Sequence, residues 1–269
     1  MTELRRALRH YGLYLRLAVK SQRVYRADTW LMSVGIILIN VIDMLLLGVL
    51  LRTFVRLGGW NVWDVVFLYC MFLMSMGIQS LFTMHLREIE VHVQDGTLDQ
   101  MLIRPVPVLV QVLGQKVHLK DISHILLGVA GVVLAADRLG LPWTAARIAY
   151  LAVTVLCGAA LLIGISLALC SLAFWTMHAS VFMSGTQEIE EIVQHYPVHI
   201  FGTWFLQLIS TLLPFAFVNY YPSRLLLHHE DGLPSWLLVA GPPVAAVVVV
   251  AIALRVWHMG LARYQGSGS

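Results

Sequence analysis

Long apolar stretches separated by short charged segments set the pattern of this chain. From Trp30 to Leu51 a single charged residue, Asp43, interrupts the run, and between Arg147 and Glu188 there is none. A helix that crosses a bilayer needs about 20 mainly apolar residues with charges gathered at its ends. On that measure the pattern predicts an all-α integral membrane protein with six transmembrane helices, at roughly 30–51, 62–85, 119–136, 148–175, 202–221 and 235–257. The fourth carries Ala160, Gly164 and Ala168 at spacing four, a stripe that lets helix backbones approach closely. The third is short when counted from Ile122 to Ala136, but Lys116 and Lys120 can snorkel and let it begin earlier. The fifth is broken by Pro214 and continues through Asn219, Tyr220, Tyr221 and Pro222. Backbone freed at membrane depth must be satisfied by protein or by water, so a re-entrant segment between Pro214 and Pro234 is expected before the last span. Pro242 and Pro243 are expected to kink that span near its outer end.

Two cytoplasmic features precede and interrupt the spans. Residues 1–29 are expected to form either an amphipathic interfacial elbow helix or a plain positive-inside anchor, with Leu4, Ala7, Leu8, Tyr11, Leu15 and Ala18 on one face and Arg5, Arg9, Arg16, Lys20 and Arg23 on the other. Residues 30–269 form a single transmembrane domain, with a loop at 86–118 that contains a compact helical knob. Asp95 and Gly96 mark a turn, Thr97 and Gln100 have capping-box spacing, and Arg104 and Pro105 close the helix. Leu98, Met101 and Leu102 are expected to be exposed there, where they suit either docking into a partner's groove or an ordinary amphipathic connector.

Composition supports the membrane class, because 59% of the 269 residues are hydrophobic and 12% are Asp, Glu, Lys or Arg, about half the charged share of a soluble domain. Positive residues set orientation. An inside N-terminus places thirteen Lys and Arg on the cytoplasmic side and five, Arg52, Arg56, Arg138, Arg147 and Arg224, on the other. Both termini are therefore expected in the cytoplasm. Cys70, Cys157 and Cys170 lie inside apolar runs and read as small buried hydrophobes.

Candidate chemistry is sparse. No GxxxxGK[ST] phosphate cradle occurs, so the chain holds no cofactor of its own in this reading and is not expected to hydrolyse ATP. Asp43, with Asn40 one turn earlier, is a polar site inside a span and serves either as a proton or substrate site or as an interhelical hydrogen-bonding site. Met71, Met74, Met76 and Met84 offer a lining or ordinary packing. Glu191, His195 and His199 have the spacing of metal ligands on one helix face, but Pro197 interrupts it, so 176–201 is read as a solvated or interfacial loop. His228, His229, Glu230 and Asp231 are read as a solvated outer turn. Two further classes stay open on these residues: an ion- or proton-coupled carrier using Asp43, and an intramembrane metal-dependent enzyme using the His and Glu clusters.

The loop at 86–118 resembles the coupling segment of ABC-2 type exporter permeases, in which a Gly-Thr-Leu-Asp-like turn precedes a helix ending in Arg-Pro. The basic N-terminal helix, the run from Leu213 to Pro222 and the tail from Trp257 to Ser269 point the same way, toward the branch with a Pro-Phe-Ala-Phe then Tyr-Tyr-Pro pattern. The resemblance implies a permease in a bacterial inner membrane that pairs with a second permease, identical or related. Two ATPase subunits, which bind ATP and Mg, would power outward movement of substrate by alternating access, and no nucleic acid is expected as a partner. It assigns ATPase coupling to Glu88, Gly96, Thr97, Leu98, Asp99, Met101, Leu102, Arg104 and Pro105. It puts the first and fifth spans at the dimer interface, with the second and fifth lining the path. Pathway or gate roles then fall to Met74, Gln79, Pro214, Phe215, Phe217, Tyr220, Tyr221 and Pro222, with Asn40 and Asp43 as intramembrane polar or interface residues.

Overall fold

The computed structural model describes residues 26–53, 58–114, 117–176, 179–229 and 232–264, and every regular element among them is helical. Nearly all of the elbow at 1–29 lies outside the described residues. In chain order the helices are α1 (Arg26–Thr53), α2 (Val62–Thr83), α3 (Ile89–Gln94), α4 (Thr97–Leu102), α5 (Val108–Gly114), α6 (Ile122–Arg138), α7 (Ala145–Ser171), α8 (Ala179–His195), α9 (Thr203–Thr211), α10 (Tyr220–Leu226) and α11 (Ser235–Arg263). Among the described residues five segments are long and apolar enough to cross a membrane: Ala27–Leu50, Val62–Thr83, Leu119–Arg138, Ala145–Phe174 and Ser235–Arg263. The fold is that of an all-α integral membrane protein. The end that carries α3 to α5 is called basal below, and the opposite end apical.

Helix α2 is apolar all round, and Val65 through Leu73 are buried without interruption, as expected of a helix enclosed by others. Its start is fixed locally: the Asn61 side chain accepts the N–H groups of Trp63 and Asp64, and the Asp64 carboxylate accepts that of Asn61 in return. Small residues set its distance from α6. A Cβ on Gly128 would sit 2.5 Å from Met74 Cγ and 2.9 Å from the Cys70 carbonyl oxygen. In the α7 stripe, a Cβ on Gly164 would sit 2.9 Å from Val249 Cγ1 and 3.3 Å from the Val250 nitrogen of α11. Cys70 and Cys170 are buried, and none of the three cysteines forms a disulfide.

Pro242 and Pro243 lie inside α11, which continues through them. Because Pro242 has no N–H, the Leu238 carbonyl four residues earlier loses its helical donor. The Tyr150 hydroxyl of α7 donates to that carbonyl at 2.5 Å. Tyr150→Phe is therefore expected to destabilise the detergent-solubilised protein by about 1 kcal/mol, read as a lower thermal unfolding midpoint. An unchanged midpoint would mean the carbonyl finds another donor.

The fifth span expected at 202–221 does not form. Those residues make α9, a turn at Pro214 with a 3-10 segment over Phe215–Phe217, and the start of α10. Val218 of the turn reaches Gly158 of α7, 13 residues or about 20 Å below the apical start of that helix. The hairpin enters from the apical end, turns at mid-depth and returns, so the re-entrant segment begins at Thr203, before Pro214. The stretch at 176–201, read from sequence as a loop, holds the 17-residue α8. Ser180 at its foot binds Glu90 of the basal end, while His199 just past its top binds the Gly58 carbonyl oxygen of the apical end. Seventeen residues of helix span about 25 Å, and Ala179, Met183, Thr186, Val193 and Gln194 are buried along one face. Helix α8 thus runs the height of the bundle.

Candidate functional site

Three regions hold the residues singled out from sequence. The first is a polar cleft between α1, α2 and α8. Asp43 shares a cavity of about 530 Å³ with Glu188, Glu191, His195 and Tyr196, against Leu46, Leu47 and Leu50 of α1. A connected cavity of about 280 Å³ adds Asn40, Gln187, Glu190 and Gln194. Asn40 and Asp43 therefore belong to one site, where the Asn40 side-chain oxygen accepts the Tyr69 hydroxyl at 2.8 Å and the Asn40 amide donates to the Ile36 carbonyl. Asn40 is held by its neighbours, while Asp43 opens onto the cleft. On α8, Ser184, Gly185, Gln187, Glu188 and Glu191 face outward and are exposed. Gln79 lines a smaller cavity of about 140 Å³ between α2, α7 and α8, and its amide donates to Ser166 at 2.9 Å. Met74 packs on Gly128 of α6, and Met76 lines this cavity as well as the one that holds Asn40 and Asp43.

The re-entrant hairpin is the second region. Pro214, Phe215, Phe217, Tyr220, Tyr221 and Pro222 are all buried, so they form a wedge and not an open lining. Ser210 and Tyr221 hydroxyls lie 2.8 Å apart and tie its two arms. Asn219, fully buried, donates to the Val193 carbonyl of α8 at 2.9 Å and the Leu68 carbonyl of α2 at 3.3 Å. At its exit Trp60 stacks on Tyr220 and on His229, and His229 Nε2 lies 3.4 Å from the Asp64 carboxylate. His228 meets Arg147. Of the turn at 228–231, His228 is exposed and His229 is half-buried against Trp60, while residues 230 and 231 lie outside the described residues. Burial holds the His199 imidazole below its ordinary pKa, and its Nε2 donates to Gly58 instead of sharing a face with Glu191 and His195. Among the described residues no three His, Cys, Asp or Glu side chains gather as metal ligands.

The third region is the basal segment. Gly96 adopts φ +69° at the start of α4, a left-handed position that disfavours a side chain. Thr97 follows as the first helical residue and pairs with His92 at 2.8 Å, so the capping box with Gln100 does not form. Gln111 donates to the Met101 and Val106 carbonyls and satisfies the end of α4. Leu98 and Met101, expected to be exposed, are buried with Leu86, Ile89, Val108 and Val112. The six-residue helix presents those two side chains to its own chain. Leu102 and Ile103 face out, Ile103 being 85% exposed, beside exposed Arg104 and Pro105. Asp99 lies by the Tyr264 phenol, which burial and then that carboxylate hold above its ordinary pKa. Glu88 is half-exposed, 3.8 Å from His85.

Sequence reasoning missed the site roles of Glu188 and Glu190, of Glu90 and of Ile103. The signal for α8 was its periodicity: Ala179, Met183, Thr186 and Val193 recur at helical spacing on its buried face.

A family model described as ABC-2 family transporter protein matches residues 37–268. Neither the curated proteins nor the solved structures compared with the chain gave a match.

Proposed function

Because the chain belongs to the ABC-2 transporter family, and is thus the membrane component of a transporter that works with ABC ATPase subunits and is not itself catalytic, we propose that it is the permease of an ATP-driven exporter. Two copies, or this chain and a related permease, enclose the path; two ATPases bind ATP and Mg and dock on the basal segment. Both termini lie in the cytoplasm of a bacterial cell, and substrate leaves by alternating access.

One observation carries this reading. Glu188 and Glu191 are exposed within the height of the bundle, and a carboxylate facing hydrocarbon costs about 2.5–3.5 kcal/mol or more. Their face must meet water or protein. The exposed apolar side of α1, which includes Leu45, Leu46 and Val49, adjoins the same cleft. A second permease seated across α1 and α8 would close the cleft into a water-filled path lined by Asp43, Glu188 and Glu191.

The ATPase association is tested by purifying the complex from native membranes. An ATPase should co-purify, and Ile103→Asp should weaken its retention by about tenfold or more, since burying that side chain contributes about 1.5–3 kcal/mol. A native complex without ATPase would sink the reading, as would full retention in the variant combined with unchanged transport.

A further inference from the structure

Helix α8 starts on a carboxylate borrowed from the basal segment. Glu90 of α3 accepts the Ser180 backbone N–H at 2.7 Å and the Ser180 hydroxyl at 3.4 Å. The first turn of α8 has no acidic residue of its own, although the free N–H groups at a helix start favour one. The bond is charge-assisted and directed along the helix axis, so it resists axial displacement in a way that apolar contact does not. Apolar contact is also present, because Ala179 and Met183 share the basal core with Leu86, Ile89 and Leu98. That core includes Leu167 and Cys170 of α7 and Ala253 and Trp257 of α11 as well, so by itself it ties the basal segment to three helices alike. The Glu90 carboxylate also accepts the Gln94 side-chain amide at 3.3 Å within α3, and among the described residues its bond to another helix goes to α8.

Resting on the ATP-driven reading above, we infer that Glu90 is a positioning residue that carries movement of the basal segment selectively into α8, and so into the cleft at Glu188 and Glu191. Glu90 is half-buried, and its replacement opens no core. Asn219 holds the far end of α8 through the Val193 carbonyl, which makes the hairpin the other terminus of the same rod.

The test uses the complex with its ATPase in nanodiscs, carrying Cys157→Ser and Leu46→Cys to place one reactive thiol in the cleft. Alkylation by a water-soluble maleimide is followed with and without ATP and vanadate. With Glu90 intact the rate should change several-fold on trapping. In Glu90→Ala the change should vanish while ATPase content and ATP hydrolysis persist, and Glu90→Gln, which keeps an acceptor oxygen, should retain part of it. Hydrogen exchange at Ser180–Met183 should be about tenfold faster in Glu90→Ala. An undiminished trapping response in Glu90→Ala overturns the inference, and so does unchanged exchange. A complex with intact Glu90 that ignores nucleotide overturns the ATP-driven reading and the inference with it; the exchange result still separates that case from a contact that does not exist.

Discussion

Gly128→Leu should abolish accumulation of folded protein. A Cβ alone at this position meets Met74 and the Cys70 carbonyl oxygen at 2.5 and 2.9 Å, and the second of these is backbone that cannot rotate away. Three further carbons would have to be accommodated by separating α6 from α2. Helix association in hydrocarbon depends on close packing, since lipid supplies no hydrophobic drive. Overpacking of this kind costs about 3 kcal/mol or more, a large part of a typical domain's stability. The readout is the monodisperse fraction after detergent extraction, together with the unfolding midpoint. Gly35→Leu is the control, because nothing lies within 4 Å of a Cβ there; it should leave both readouts near wild type. If Gly128→Leu melts with wild type, the two helices are not held at this separation.

Asn219→Asp should be nearly as damaging although it changes no volume. The Asn219 amide nitrogen donates to two carbonyl oxygens, of Leu68 and Val193, and the residue is fully buried. An ionised carboxylate would present an acceptor to two acceptors in a dry site. A protonated one could donate to a single carbonyl. The expected loss at neutral pH is about 3 kcal/mol. Its sign with pH follows from linkage: burial raises the folded-state pKa of the new carboxyl above its unfolded value, so the destabilisation is least below about pH 4 and grows as pH rises above that value. Unfolding midpoints of variant and wild type compared from pH 5 to pH 8 should diverge with rising pH. Parallel curves would mean that water reaches Asn219 and solvates the charge.

Both substitutions strike residues whose importance was only partly legible in the sequence. The glycines of α6 lie in a run that reads as a span, but α7 displayed the more obvious small-residue stripe, with Ala160, Gly164 and Ala168. Which small residue meets a backbone depends on rotation of the helix about its axis, and that is set by neighbours far away in sequence. Asn219 was legible as a polar interruption near Pro214, and the re-entrant expectation followed from it. The hairpin's starting point at Thr203 was not, because α9 is as apolar as a span. At the basal end, Gly96 was correctly read as a turn position. Leu98 and Met101 were read outward because a six-residue helix cannot reveal whether its apolar side meets a partner or its own chain, and here Val108 and Val112 return to cover it.

The sequence by itself determined the class, five helices long and apolar enough to cross a membrane, the proline-broken segment before the last of them and the basal knob with its glycine turn. These depend on mean hydropathy and on single residues with fixed backbone preferences. Tertiary structure decided which of two successive segments runs the full height of the bundle. The apolar stretch at 202–221 turns back at mid-depth, and the polar stretch at 179–195, with Glu188, Glu190 and Glu191, passes from base to apex. Hydropathy averages over a helix, whereas the cost of a carboxylate depends on the medium its own face meets. That medium is fixed by the packing of α1, α2 and α8 around the cleft, which no local stretch of sequence contains.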